Sequence, residues 1–421
     1  MINARCEAGT AAPPRMAAGE AGAHDRARVV LYSHDTLGYG HLRRNILIAG
    51  ALRQCATQPD ILLIAGMREA GGFTLPEGVD CLSLPAYAKG PDGAYRPRDL
   101  GTGLDNLRRL RAATIRAAVE AFAPDLMIVD NVPRGALFEL DRTLKALRKS
   151  GRTRLVLGLR DIMDEPARIR RQWLRQRNFE ALRETYSDIW IYGDPALYDP
   201  LREYGFGGEL AAMAQYTGYL DQSARLSSPA AAPARDALLG DDPRPYVLCT
   251  VGGGRDGLAL CRAFAAAPLP DGHRGIIVTG AQMSQSARRD VLAAADGRSD
   301  MTVVDFVREP IALTAGADAV IAMGGYNTAS EVLSLGRPSL IVPRVRPRAE
   351  QLIRAERLAG MELADMLHPD DLTPGALGRW LGSRWRRRTA RPNTIDVGGL
   401  ERIRKLADAM MIERRPLRRA S

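Results

Sequence analysis

The sequence predicts an α/β protein of two domains, and three observations carry that prediction. The chain is 421 residues long, enough for two cores of ordinary size. Twice, over residues 28–52 and again over 246–265, a short apolar run passes through a glycine-rich turn into an apolar helical stretch. A third unit, residues 317–354, has the order strand, glycine turn, helix, strand, helix. Such a turn leaves the first amides of its helix without carbonyl partners, and those amides bind anions.

Composition narrows the function. Hydrophobic residues make up 46% of the chain and no apolar run is long enough to span a bilayer, so a soluble globular protein is expected. The 59 Lys and Arg against 49 Asp and Glu give a formal charge of +10, a balance suited to phosphorylated ligands, anionic headgroups or nucleic acid. Aromatic residues are only 5% and no basic stretch is interleaved with stacking rings, which disfavours nucleic acid. Cys6, Cys55, Cys81, Cys249 and Cys261 are scattered, odd in number and never spaced C-x-x-C. That usage points to a reducing cytoplasm and to neither a disulfide framework nor zinc. Residues 1–26 are rich in Ala, Gly, Pro and Arg without the apolar core of a signal peptide, so a disordered arm is expected there.

The third unit is the most informative. Residues 319–323 form an apolar run too short for a helix, closed by Gly324 and Gly325. Asn327 or Thr328 can cap the helix that follows, and Gly336 and Pro338 stop it. A strand over 339–342, a basic loop beyond Pro343 and a helix rich in Ala, Leu, Glu and Arg complete the unit. The run Gly324-Gly325-x-Asn327-Thr328-x-x-Glu331, then Gly336-x-Pro338, Val342-Pro343 and Glu350-Gln351, resembles the C-terminal half of GT-B glycosyltransferases. It is most similar to family 28, the type of the peptidoglycan N-acetylglucosaminyltransferase. The resemblance implies two Rossmann-like domains with parallel sheets facing across a cleft, the nucleotide-sugar in the second and the acceptor in the first. It implies that Glu331 grips the nucleotide ribose, that Gly324, Gly325, Asn327 and Thr328 lie against the diphosphate, and that Glu350 and Gln351 reach the donor sugar. From the residues alone, Thr328-x-x-Glu331 also fits a capping box.

Taken in order, residues 28–33 read as the first strand, followed by the turn His34-Asp35-Thr36-Leu37-Gly38-Tyr39-Gly40-His41 and an apolar helix over 45–52. Inverting sugar transfer needs a base to take the acceptor proton, and an imidazole titrating near working pH suits that task. His41 is the first candidate and Asp35 the second, either as base or as the group that orients His41; His34 is a further rival. A histidine here could also merely cap the helix or pack against the strand. The resemblance sets His41, with Gly38 and Gly40, beside the acceptor hydroxyl. A strand over 61–65 precedes an irregular loop, 86–101, whose Lys89 and Arg96 are either solvated or meet a charged acceptor. A helix over 104–122 leads to a strand at 126–129 ending in Asp130-Asn131, and a strand at 155–159 ends in Arg160-Asp161. Polar residues at the carboxyl ends of parallel strands point into the ligand crevice, which makes Arg160 and Asp161 acceptor candidates; a salt bridge between loops is the alternative. An Arg-rich helix over 168–183 and a strand over 189–192 follow in this first domain, 27–220.

Residues 221–245, rich in Ser, Ala, Pro and Asp without apolar period, are expected to link it to a second domain, 246–398. There a strand over 246–251 meets Gly252-Gly253-Gly254-Arg255-Asp256-Gly257 and a helix over 258–265. This matches G-x-G-x-x-G, but dinucleotide binding also expects an acid closing the next strand. Residues 276–279 run instead into Gly280-Ala281-Gln282. The resemblance assigns Gly253, Gly254 and Arg255 to the donor diphosphate, and places Phe306 and Val307, at the end of a strand over 302–306, in a loop that reads uracil through its backbone. The basic run 379–391, with Trp380 and Trp385, suits a membrane interface or a solvated charged helix. Residues 399–412 read as a helix that could cross back onto the first domain, before a basic tail.

The expected protein is therefore an inverting, metal-independent glycosyltransferase that takes a UDP-linked sugar, UDP-GlcNAc by resemblance, to a small-molecule, glycan or lipid-linked acceptor. No cofactor is expected. No Asp-x-Asp triplet occurs, which argues against a divalent-cation clamp. The expected location is the cytoplasm, with peripheral contact at the inner face of a membrane as an extension. The alternatives are a nucleotide-sugar epimerase or hydrolase on the same fold, and a nucleotide-binding protein without turnover.

Overall fold

The computed structural model describes residues 26–34, 39–90, 94–228, 231–384 and 394–413. The N-terminal arm, Asp35, Gly38, Trp385 and most of the basic run after it lie outside the described residues. Two parallel sheets organise the chain. The first has seven strands in the order Val79–Ser83, Asp60–Ala65, Arg28–Ser33, Leu126–Asp130, Arg154–Arg160, Asp188–Tyr192 and Ala214–Tyr216. The second has six, in the order Met301–Val304, Arg274–Val278, Tyr246–Thr250, Ala319–Ala322, Ser339–Ile341 and Asp365–Met366. Helices cover both faces, which is why the central strands are continuous apolar runs without alternation. Val29, Val30, Leu31 and Tyr32 are all buried, as are Ala319, Val320, Ile321 and Ala322.

In each sheet the strand order reverses beside the first strand. Arg28–Ser33 pairs with Asp60–Ala65 on one side and Leu126–Asp130 on the other. Tyr246–Thr250 likewise lies between Arg274–Val278 and Ala319–Ala322. Loops leaving the carboxyl ends of strands that flank such a reversal cannot cover one another, and a crevice opens between them. The two reversals face each other across the molecule. The Gly399–Ile412 helix returns to pack on the Gly40–Leu52 helix, where Asp408 accepts from the Thr57 hydroxyl at 3.0 Å and Cys55 donates to the Arg404 carbonyl at 3.5 Å.

Several expectations change. The first helix starts at Gly40, not Asn45, so His41 sits in its first turn. The 86–101 loop holds an antiparallel hairpin, Tyr87–Lys89 with Tyr95–Pro97, pinned by the Tyr87 hydroxyl on Glu139 at 3.0 Å. The Arg-rich helix is two, Pro166–Arg175 and Asn178–Thr185, broken where Arg177 takes a left-handed φ of 53°. The described residues of the 221–245 stretch are not a featureless linker: they contain a 3-10 turn, Gln222–Ser227, and a helix, Ala231–Leu239. Trp380 is 4% exposed and its indole donates to Asp365 at 2.7 Å, so it belongs to the second core and not to a membrane interface. No described helix is long and apolar enough to cross a membrane.

Candidate functional site

Between the two reversals lies a cleft of about 330 Å³. Its first-domain wall is Tyr39, Gly40, His41, Arg43, Arg44 and Arg160; its second-domain wall includes both glycine turns, Arg255, Phe306, Val307, Asn327, Thr328, Glu331 and Gln351. The two walls touch: the Asn327 amide donates to the Gly40 carbonyl at 3.1 Å, and Arg43 donates to the Arg308 carbonyl at 2.9 Å. Among the described residues no group of three His, Cys, Asp or Glu side chains is placed to hold a metal ion.

His41 is held by its neighbours. Its Nδ1 hydrogen-bonds the Asp130 carboxylate at the end of Leu126–Asp130. Arg44, one helical turn on, grips the same carboxylate through Nε at 3.0 Å and Nη2 at 2.7 Å. Burial alone would raise the Asp130 carboxyl, but Arg44 and His41 hold it well below the usual carboxylate range, so it is ionised. An ionised oxygen against Nδ1 requires the proton on Nδ1, which leaves Nε2 as the basic nitrogen. The 2.8 Å approach of Arg44 Nη2 to Nδ1 is then proximity, since a nitrogen bearing that proton cannot also accept. His34 lies 4.5 Å from His41, ring centre to ring centre. Burial, and then the nearby His41, push it well below the ordinary imidazole range, so it stays neutral.

Arg160 and Asp161, adjacent in sequence, separate in space. Asp161 is fully buried, with its oxygens taken by Arg354 at 2.6 Å and by the Tyr219 hydroxyl at 2.6 Å. It is therefore not placed to touch an acceptor; the salt-bridge alternative describes it. The Arg160 side chain has no hydrogen bond or ion pair among the described residues, and its Nε is shielded from solvent. Burial lowers its guanidinium to about 10, so it remains a cation at neutral pH on the cleft wall near His41.

The second-domain turns depend on glycine. Gly254 has φ +91° and Gly280 φ +84°, and a Cβ on either would run into the other turn's backbone or the carbonyl before it. The two loops thus approach closer than any side chain permits. Replacing Gly254 by Ala is expected to cost about 1–3 kcal/mol through strain at positive φ, read by thermal melting. At Gly324-Gly325 the helix runs Tyr326–Leu335 with Gly325 as its N-cap and no side-chain cap. Neither Asn327 nor Thr328 caps it, and their first-turn amides are open to a ligand. Glu331 does not reach back as a capping box would: its Oε1 accepts from Arg225 at 2.6 Å. Gln351 lines the cleft while its side-chain Oε1 accepts from the Arg344 backbone amide at 3.0 Å. Glu350, 6% exposed, turns to Arg344 instead of lining the cleft. Gly324 lies behind the turn, its carbonyl accepting from Arg354 at 2.8 Å.

Three participants escaped the sequence reading: Asp130 as the orienting carboxylate, Arg44 as its counter-ion, and Arg225. Asp130 had a signal, a carboxylate closing a parallel strand, but nothing in the sequence tied it to His41, 89 positions away.

A pair of doubly wound parallel domains with opposed switch points is the GT-B fold. Solved structures agree over nearly the whole chain. The UDP-GlcNAc 2-epimerase of Neisseria meningitidis matches with a TM-score of 0.61 at 12% identity, covering 92% of this chain and 100% of that one. MurG of Acinetobacter baumannii matches with a TM-score of 0.51 at 14% identity, covering 93% and 95%. By sequence, the chain is 33% identical over 157 residues to the UDP-N-acetylglucosamine--N-acetylmuramyl-(pentapeptide) pyrophosphoryl-undecaprenol N-acetylglucosamine transferase of Paenarthrobacter aurescens strain TC1. That stretch is 36% of this chain and 40% of the relative's length. No protein-family profile matches.

Proposed function

We propose that this protein is a glycosyltransferase that moves a sugar from a UDP-linked donor, held by the second domain, to an acceptor hydroxyl held against the first. The observation that carries the reading is the oriented His41–Asp130 pair facing two glycine turns and Glu331 across one cleft. In the proposed reaction His41 Nε2 takes the acceptor proton as the acceptor oxygen attacks the anomeric carbon from the face opposite the diphosphate. The bond from that carbon to the diphosphate oxygen breaks and configuration inverts. Charge growing on the leaving diphosphate meets the first-turn amides of the Tyr326 helix and the exposed guanidinium of Arg255, without a metal. Glu331 and Gln351 contact ribose and donor sugar on this reading, and Arg160 meets the acceptor. The relative's printed substrate supports UDP-GlcNAc as the first donor to try and a lipid-linked acceptor as the first class to screen. A working site at the inner face of a membrane goes with that acceptor.

The test begins with binding. UDP at 100 times its dissociation constant should stabilise the fold by about 2.7 kcal/mol, seen as a raised melting temperature. Turnover should then require an acceptor. The epimerase likeness gives a second reading a definite form: incubation with UDP-GlcNAc alone would yield an epimer or free sugar as the main product. Absence of any UDP-dependent stabilisation would remove both readings.

A further inference from the structure

The segment between the domains does more than connect them. Asp221 opens its 3-10 turn by accepting from the Ser223 amide at 2.8 Å, and the Gln222 amide donates to the Ser334 hydroxyl at 2.9 Å on the Tyr326–Leu335 helix. The turn is thereby fixed against the helix that carries Glu331. Arg225, in the same turn, spends its guanidinium on three side chains. Nη1 donates to Gln222 Oε1 at 2.9 Å and to Glu331 Oε1 at 2.6 Å, while Nε donates to Glu309 Oε2 at 3.2 Å. Side-chain exposure is only 10% for Arg225 and 9% for Glu331, so little solvent competes. Glu331 Oε2 makes no hydrogen bond among the described residues, and Glu331 lines the cleft. Arg225 itself lines a second cavity, of about 610 Å³, and is absent from the lining of the cleft.

We propose that Arg225 is a positioning residue for recognition of the nucleotide ribose, acting through Glu331. Holding one carboxylate oxygen fixes the plane of the carboxylate and presents the other to the vicinal hydroxyls. It also offsets the repulsion between Glu331 and Glu309, two acids that share a single guanidinium. The interdomain segment is thus part of the donor site, and preference for a ribonucleoside over a deoxyribonucleoside diphosphate depends on a residue that touches neither. The inference rests on the donor site proposed above.

The experiment measures dissociation constants of UDP and 2′-deoxy-UDP by calorimetry for the full chain and for R225M, R225K and E331Q. Loss of a hydrogen bond to a charged group corresponds to roughly a tenfold to hundredfold preference for UDP in the wild type. R225M should lose most of that ratio while its affinity for 2′-deoxy-UDP hardly moves, and combining R225M with E331Q should add little. R225K keeps charge without the planar fork and should fall between; it also serves if R225M does not fold. A purely structural role would weaken both ligands by one factor and keep the ratio, which overturns the inference, as does an unchanged ratio in R225K and R225M. Wild-type binding of UDP with no preference over 2′-deoxy-UDP overturns the inference alone. No binding of UDP overturns the donor site as well.

Discussion

Replacing His41 by Ala is expected to lower sugar transfer by a factor of about 10² to 10⁴, the usual worth of a placed general base, with UDP affinity nearly intact. The separation follows from geometry. His41 stands on the first-domain wall, whereas the turns, Arg255 and Glu331 belong to the second. Alanine also suits the first turn of the Gly40–Leu52 helix, so the fold should survive. Asp130→Asn should behave differently. Removing its charge loosens the fixed tautomer of His41, and it leaves Arg44, whose side chain is 3% exposed, without a counter-ion. An unpaired buried charge of that kind costs about 3–5 kcal/mol. The Asp130→Asn variant should therefore lose turnover and melt earlier, while the His41→Ala variant loses turnover alone. Full-rate transfer by the His41→Ala variant would remove His41 as the base.

How much of this could be read from residues in order depends on the range of the interaction. Strands buried on both faces are written as unbroken apolar runs, and Arg28–Ser33 has the same bounds in the sequence and in the structure. Glycine turns are likewise local, because the need for positive φ at Gly254 is met by one residue type. Helix starts are less legible. The helix at Gly40 opens without a capping side chain, so nothing at Tyr39 or Gly40 announces it. The segment after Asp221 has no apolar period because it is shaped by contacts with Ser334, Glu309 and Glu331. Arg225 and Glu331 are 106 positions apart, and only the packing of the 3-10 turn on the Tyr326–Leu335 helix brings them together. Arg160 and Asp161 show the same limit at its sharpest. Successive residues at a strand end point to opposite sides, one into the cleft and one into the core, and the sequence does not say which.

Asp161 leads to the second large effect. Its carboxylate and the Arg354 guanidinium are both fully buried and paired at 2.6 Å and 3.0 Å. Asp161 follows a strand of the first sheet, and Arg354 lies on the Glu350–Gly360 helix of the second domain. Arg354 also donates to the Gly324 carbonyl, so one ion pair ties the domains together and seats the Gly324 turn. Asp161→Asn should cost about 3–5 kcal/mol, because Arg354 is left charged in a dry interior. UDP affinity should fall with it, through the loosened turn at Gly324. Replacing both partners by apolar residues, as in Asp161→Leu with Arg354→Met, should lie closer to wild type in stability than the single change does. The pH dependence has a fixed sign. Burial would raise Asp161, but Arg354 and the Tyr219 hydroxyl hold it below the usual range. A carboxyl depressed on folding contributes stability that is complete above its unfolded pKa, about 3.9, and that is lost as pH falls through the folded value. The stability gap between wild type and the Asp161→Asn variant should therefore be widest near neutrality and narrow below about pH 4. Equal melting temperatures at pH 7 would show that this pair does not hold the two domains together.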